Sequence, residues 1–153
     1  MSVKEKLDAL GLTLPTAAAP VAAYVPAVKT GNLVFTAGQL PVVDGKLVVT
    51  GKVGSDVTPE DAKMMAEICA LNALAAISTV ADLDQVERVV RVGGFVNCAP
   101  GFTAIPGVVN GASEFLIKVF GDVNGKHART AVGVAELPLN APVEIELTVQ
   151  LKN

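Results

Sequence analysis

An arginine opens an apolar run near the end of the chain, in the stretch GKHARTAVGVAELP. The side chain of Arg129 carries a fixed positive charge on a planar fork of N–H donors, which matches the geometry of a carboxylate. At the start of a strand, this fork could hold a small carboxylic acid in a cleft. The same position is also typical of a solvated strand end or of a structural salt bridge, because surface arginines are common.

A second group of polar residues lies in the stretch PVEIELTVQL. Because side chains alternate along a strand, Glu144, Glu146 and Thr148 share one face and the apolar residues share the other. One interpretation is a half-buried strand with a polar outer face. The other is that a glutamate beside an apolar wall activates water as a general base at neutral pH. The pattern leaves both interpretations open.

Three further residues are rare in this chain and could carry chemistry. His127 is the only histidine, and it is either a proton shuttle or a solvated residue of a glycine turn. Tyr24 is the only tyrosine, and it either caps a pocket or belongs to the core. Cys98 has no base beside it in the sequence, which disfavours a nucleophile. The spacing of the cysteines and the single histidine match no usual metal site, so no metal is expected.

The composition of the chain argues for a single-domain protein without a nucleic-acid or membrane partner. The 153 residues predict a single domain, 1–153, in which residues 1–20 form an N-terminal helix and linker. A net charge of −3 and an aromatic content of 4% argue against a nucleic-acid partner. The first ten residues carry charges throughout, and no apolar run is long enough to span a bilayer. The sequence therefore predicts a cytoplasmic protein with no membrane partner.

The order of elements predicts the fold class. A helix begins after Thr58, which is followed by Pro59 and two acids, as is typical of a helix start. Its packing face is predicted at Met64, Ile68, Leu71 and Ala75. Strands and helices in this order indicate an α+β domain with two helices on one face of a mixed sheet. The other predicted elements are a short helix over 3–11, extended segments over 21–31 and 32–42, a hairpin turn at Asp44–Gly45, a strand over 85–100, a loop over 102–107, a second and shorter helix over 109–121, and strands over 129–138 and 142–151.

The C-terminal stretch HARTAVGVAELPLNAPVEIEL resembles the Rid (reactive intermediate deaminase) family, also called YjgF-type or endoribonuclease L-PSP. The features that carry the resemblance are Arg129, the Leu-Pro pair at 137–138 and the final VEIE. Upstream, NLVFTAGQLP, AAYVPAV and VVNGASEFLIKVFG resemble further segments of the family in the same order. The likeness covers nearly the whole chain from Tyr24 onward. It is closest to a branch of the family with longer chains.

This resemblance implies a chorismate-mutase-like fold and a homotrimer whose sheets form a central barrel, with sites in the clefts between subunits. It implies hydrolysis of 2-imino or enamine acids to 2-oxo acids and ammonia, without a cofactor. Arg129 would bind the substrate carboxylate and Glu144 would position or activate water. The backbone near Gly38 would assist, and Tyr24 and Asn110 would shape the pocket.

The chain departs from the family pattern at three positions. Ala131 and Gly133 replace a cysteine and a glutamate that follow the arginine, and Ala37 replaces a serine before Gly-Gln. These changes predict a pocket with smaller and less polar walls. His127 belongs to the pattern of the longer branch and is expected at the substrate site.

Two functions of different classes follow. The first is an imine or enamine deaminase. The second is a trimer that binds small carboxylates at Arg129 without turnover, as a ligand sensor. They differ in the importance of Glu144, which only the enzyme requires. A ribonuclease, the third alternative, is disfavoured by the acidic composition.

Overall fold

The computed structural model describes residues 1–20 and 22–153. Short 3-10 turns occur at Leu83–Gln85 and Pro138–Asn140. Within these ranges no helix is both long and apolar enough to cross a membrane. The helices and strands are, in chain order, α1 Val3–Ala9, β1 Ala27–Thr30, β2 Leu33–Thr36, β3 Val42–Val43, β4 Lys46–Leu47, α2 Pro59–Ile77, β5 Val86–Asn97, α3 Ile105–Asn124, β6 Ala128–Val134 and β7 Val143–Leu151.

The main sheet has the strand order β1-β2-β7-β5-β6. Its neighbouring strands are antiparallel except for β5 and β6, which run parallel. The parallel pair follows from the connection, because α3 carries the chain back along the sheet between the two strands. Strands β3 and β4 form a separate hairpin. This arrangement confirms the predicted α+β class with a mixed sheet.

One face of the sheet is covered by both long helices. Strand β7 alternates as predicted, with every second side chain buried from Val143 to Leu151. Helix α2 packs against β7 and β2, and α3 packs against β5 and β6. The opposite face, which we call the open face, carries Glu144, Glu146 and Thr148 of β7 and Phe35 of β2. The sheet therefore has one apolar covered face and one mixed open face.

Helix α2 begins at the predicted residue, but the residues of its buried face differ from the predicted ones. The Thr58 side chain accepts a hydrogen bond from the Asp61 backbone N–H at the helix start. Met64, predicted to be in the packing face, is 56% exposed, and Ile68 and Leu71 are only partly buried. The helix packs against both the sheet and the neighbouring α3, and small residues permit this close approach. The buried residues are Ala62, Met65, Ala66, Cys69, Ala70, Ala73, Leu74, Ala75, Ala76 and Ile77.

Helix α3 is longer than predicted. It starts at Ile105 and has 20 residues, so the end of the predicted loop over 102–107 is helical and α3 is not the shorter helix. Pro106 lies in the first turn, where its missing N–H needs no partner. The predicted end at Gly121 coincides with a break in the helix, because Gly121 has a φ of 87°. The last residues of α3 then lead to β6.

The predicted turns and first elements are found with small changes. Asp44 and Gly45 both have positive φ, as a two-residue hairpin turn requires. The predicted extended segment over 21–31 forms a strand only at Ala27–Thr30, and Val21 lies outside the described residues. The predicted helix over 3–11 is α1, and its first turn is capped by Ser2 and Glu5.

Candidate functional site

Arg129 lies on β6 and reaches across to α3. Its Nη1 donates to Asn110 Oδ1 at 2.8 Å and to Ser113 Oγ at 3.2 Å. Its Nη2 donates to the carbonyl oxygen of Pro106 at 3.4 Å. These acceptors recur at three- and four-residue steps, so one face of α3 supplies all of them. The guanidinium is therefore oriented by a helix.

The charge of Arg129 has no partner of opposite sign. All three acceptors are neutral, and Arg129 forms no ion pair with any acid in residues 1–20 and 22–153. The residue is partly exposed. In the described part of the chain, its Nε donates to no acceptor, and Nη2 has a second N–H besides the one directed at Pro106, so one N–H of each remains available. Two adjacent N–H donors of a guanidinium match the two oxygens of a carboxylate.

The walls beside Arg129 are made of small residues. A Cβ at Gly94 would lie 2.5 Å from Val109, so this glycine lets α3 approach β5. A Cβ at Gly133 would lie 3.0 Å from both Cys98 Sγ and Ile105 Cδ1. Ala131 is partly buried and packs against the core. The family pattern has a glutamate at the position of Gly133. In this chain, Cys98 and Ile105 occupy the space that a side chain at this position would need. Burial raises the pKa of the Cys98 thiol.

His127 is connected to the same group of residues. Its Nε2 lies 2.8 Å from Ser113 Oγ, and its Nδ1 lies 2.6 Å from the carbonyl oxygen of Gly125. Burial lowers the pKa of His127; the hydrogen bond to Gly125 opposes this, and the charge of Arg129 adds to it. The interpretation of His127 as a solvated turn residue is therefore wrong, because both ring nitrogens have protein partners.

Glu144 lies on the open face, above a glycine. A Cβ at Gly38 would come within 2.8 Å of the Glu144 carboxyl group. Burial raises the pKa of Glu144, and the nearby charge of Glu146 raises it further. No described side chain donates a hydrogen bond to the Glu144 carboxylate. A partly buried carboxylate with a raised pKa is a stronger proton acceptor than an ordinary glutamate.

The segment under Glu144 is held by backbone hydrogen bonds. Gln39 exchanges two hydrogen bonds with Ile145, at 2.8 and 3.0 Å, which places Gly38 beside β7. Ala37 is partly buried, and its N–H donates to the carbonyl oxygen of Pro26 at 2.8 Å. Tyr24 is 49% exposed. Its side chain forms no hydrogen bond with the described residues near Arg129 or Glu144.

Arg129 and Glu144 lie on opposite faces of the sheet. Arg129 pairs with Val92, which in turn pairs with Leu147, and the last two are buried under the helices. Glu144 is three residues from Leu147 on β7, so it points to the other face. A single chain therefore separates the predicted site residues into two groups. The helix side has Arg129, Asn110, Ala131 and His127, and the other side has Glu144 with Gly38.

The cavity nearest α1 lies apart from these two groups. This cavity of about 530 Å³ lies between α1 and the end of α2, and no predicted site residue lines it. In the described ranges, no three His, Cys, Asp or Glu side chains lie close enough together to hold a metal ion.

Sequence reasoning missed Ser113 and the carbonyl group of Pro106. Ser113 lies three residues after Asn110, which places both on one side of a helix. Because the sequence indicates Asn110 as a site residue, this spacing also indicates Ser113. The Pro106 carbonyl carried no comparable signal, since residues 102–107 were predicted to form a loop.

Comparison with known proteins gives consistent results. A family model described as "YjgF/chorismate_mutase-like, putative endoribonuclease" matches residues 4–151. The chain is 43% identical over 152 residues to protein TCP17 of Trypanosoma cruzi, covering 99% of this chain and 95% of that protein. It is 32% identical over 142 residues to a 2-iminobutanoate/2-iminopropanoate deaminase of Dermatophagoides farinae, covering 92% and 95%.

A solved structure shows the same likeness in three dimensions. The protein Atu1372 of Agrobacterium tumefaciens matches with a TM-score of 0.90 and 44% identity, covering 98% of this chain and 92% of that chain. The family model and the relatives span almost the same residues as the sheet and helices described above. The chain therefore belongs to the YjgF/chorismate-mutase-like (Rid) family and has its fold, as its C-terminal residues predicted.

Proposed function

We propose that this protein hydrolyses small 2-imino acids to 2-oxo acids and ammonia, at sites completed between the subunits of a homotrimer. The observation that carries the proposal is the guanidinium of Arg129. It is partly exposed, is oriented by three neutral acceptors and has no acidic partner in the described chain. An oriented, unpaired arginine is suited to bind a carboxylate from a ligand. A relative in the family carries the name of a deaminase of this type.

The reaction needs orientation and a water molecule. In the proposed mechanism, Arg129 binds the substrate carboxylate, and this fixes the imine carbon relative to the protein. Glu144 accepts a proton from water as the oxygen bonds to that carbon. The same carboxyl group gives this proton to the nitrogen, which forms a carbinolamine. Glu144 then takes the hydroxyl proton of this intermediate and transfers it to the nitrogen, so that ammonia leaves as the C–N bond breaks and the carbonyl group forms. Imine and water are thus converted to a 2-oxo acid and ammonia, with Glu144 regenerated.

The proposed trimer supplies the second half of each site. Because Arg129 and Glu144 are on opposite faces, one chain does not present both to one small substrate. The open face also carries uncovered apolar side chains, with Phe35 44%, Val28 51% and Val132 39% exposed. Such a face is suited to pack against further copies of the chain. In a closed ring, Arg129 of one copy would approach Glu144 of the next.

A non-catalytic binding protein is the second candidate. It is favoured by the fact that every described contact of Arg129 comes from β6 and α3 of the same chain, without Glu144. A carboxylate could therefore bind at Arg129 whether or not water is activated. We do not propose a ribonuclease, because the chain has a net charge of −3, whereas proteins that bind RNA usually carry a basic patch.

The test is hydrolysis of 2-iminopropanoate and 2-iminobutanoate, generated in the assay by an amino-acid oxidase. We expect the wild-type protein to accelerate release of the 2-oxo acid and Arg129→Ala to lose this effect. Lys118→Ala serves as the control, because Lys118 is an exposed cation on α3. If wild-type protein binds 2-oxobutanoate but does not accelerate hydrolysis of several imines, the binding protein is correct and the deaminase is not.

A further inference from the structure

We propose that Ser113 and His127 form a hydrogen-bond relay that positions Arg129, and that His127 acts on the guanidinium only through the Ser113 hydroxyl. His127 is thus a positioning residue and does not touch the substrate. The inference rests on the proposed function only in taking Arg129 as the residue that binds a carboxylate.

The relay begins at a carbonyl group that is held in place. The carbonyl oxygen of Gly125 can only accept, so the nitrogen 2.6 Å from it, His127 Nδ1, carries the hydrogen. Gly125 is buried, and its N–H donates to the carbonyl oxygen of Gly121 at 2.8 Å. A Cβ at Gly125 would lie 2.6 Å from the Ile117 backbone, so this residue has little freedom to move. The end of α3 thereby determines the tautomer of His127.

The tautomer in turn determines the direction of the next hydrogen bond. In a neutral imidazole with hydrogen on Nδ1, Nε2 is an acceptor. The Ser113 hydroxyl, 2.8 Å away, therefore donates to Nε2. A hydroxyl group can rotate freely unless a partner holds its hydrogen. With its hydrogen directed at His127, the Ser113 oxygen presents its lone pairs to Arg129 Nη1 at 3.2 Å.

The surroundings of His127 favour its neutral form. Arg129 is two residues along the chain from His127, and Arg88 of β5 lines a shallow cavity together with the ring. Lys126 also lines this cavity and pairs with Asp122 near the end of α3 at 3.0 Å. Burial of the ring and the charge of Arg129 both disfavour a second proton on the imidazole. The relay is therefore expected to persist at neutral pH.

Two measurements test the relay. The first is the ¹⁵N NMR spectrum of the His127 ring, which is unambiguous because the chain has one histidine. We expect hydrogen on Nδ1 and none on Nε2 near neutral pH, and a changed Nε2 shift in Ser113→Ala. Hydrogen on Nε2 in the neutral wild-type ring, or an unchanged shift in Ser113→Ala, would overturn the proposal. This readout requires no ligand and no activity.

The second measurement is binding of 2-oxobutanoate to wild-type protein, Ser113→Ala, His127→Ala and the double variant. We expect each single variant to bind about threefold to tenfold more weakly, the size expected for one lost hydrogen bond. The double variant should be no weaker than Ser113→Ala, because His127 has no other route to Arg129. His127→Gln should recover most of the binding, since its side-chain oxygen can accept from Ser113.

The outcomes separate this proposal from the proposed function. Additive losses in the double variant would contradict the relay while leaving Arg129 as the carboxylate-binding residue. No binding of 2-oxobutanoate by folded wild-type protein would contradict the function, and the ring spectrum would then decide on the relay alone.

Discussion

Arg129 and Glu144 lie on opposite faces of one sheet, although they are on strands separated only by β5. Arg129 points to α3, and Glu144 points away from both long helices. A small substrate that touches both residues must therefore lie between two copies of the chain. This relationship makes the composition of the site testable by mixing variants.

Mixed oligomers should recover activity that neither parent variant has. The Arg129→Ala variant lacks the guanidinium that binds the substrate carboxylate, and the Glu144→Gln variant lacks the carboxylate that accepts a proton from water. Each variant should therefore be inactive alone. In randomly mixed subunits, about one quarter of sites should combine an intact Arg129 of one copy with an intact Glu144 of its neighbour. The measurement is imine hydrolysis after unfolding and refolding the two variants together. If mixtures shown to share subunits recover no activity, the two residues do not act together in a site between copies.

Replacing the proposed base should increase stability while it removes activity. Because the pKa of Glu144 is raised in the fold, the folded state binds a proton more readily than the unfolded chain. Glu144 therefore costs stability above its folded pKa, and this cost disappears as the pH falls below its ordinary value. Glu144→Gln should have a higher Tm than wild-type protein at neutral pH, with the difference lost in acid. Hydrolysis should fall by roughly 10² to 10⁴, the usual contribution of a general base.

The control for this prediction is Glu87→Gln, since Glu87 is an exposed glutamate on β5. It should leave the rate of hydrolysis unchanged. A Glu144→Gln variant that is less stable than wild-type protein at neutral pH would contradict the argument.

Two glycines on the open face should have different effects on activity. A Cβ at Gly38 would lie 2.8 Å from Glu144 Cδ, and a Cβ at Gly93 would lie 2.7 Å from Glu146 Oε1. In each case the flexible end of a side chain can move, so both alanine variants should fold. Gly38→Ala should displace Glu144 and lower the hydrolysis rate by at least about tenfold, because small errors of placement are costly. Gly93→Ala should retain most activity, and equal losses in both would argue against a specific role for Glu144.

Two glycines of α3 should have opposite effects on stability. A Cβ at Gly111 would overlap the carbonyl group of Lys63 on α2, whereas a Cβ at Gly107 meets nothing within 4 Å. Gly111→Ala should lower the free energy of unfolding by about 1–3 kcal/mol or more, because the two helices must separate. Gly107→Ala should raise it by roughly 0.4–1 kcal/mol through the lower entropy of the unfolded chain. Denaturant unfolding measures both, and a neutral Gly111→Ala would disprove the close contact.

Several features of this protein were determined by neighbours in the sequence. The start of α2 depends on Thr58 and Pro59, and the Asp44–Gly45 turn depends on two residues that tolerate positive φ. The alternation of β7 follows from the period of a strand. These signals are local, because each involves groups within a few residues of one another. The family, too, is recognisable from the residues around Arg129 and the final VEIE.

Other features were decided only by the tertiary structure. Helix α2 buries a face made largely of alanines because it packs against both α3 and the sheet. The apolar periodicity of the sequence does not indicate how closely these neighbours approach. The link from His127 to Ser113 joins residues 14 positions apart, and it requires the break at Gly121 to bring the ring back to α3. The separation of Arg129 from Glu144 depends on how β6 and β7 pair with β5. The pairing register depends on contacts between strands that are distant in the sequence. It therefore cannot be predicted from the sequence of either strand alone.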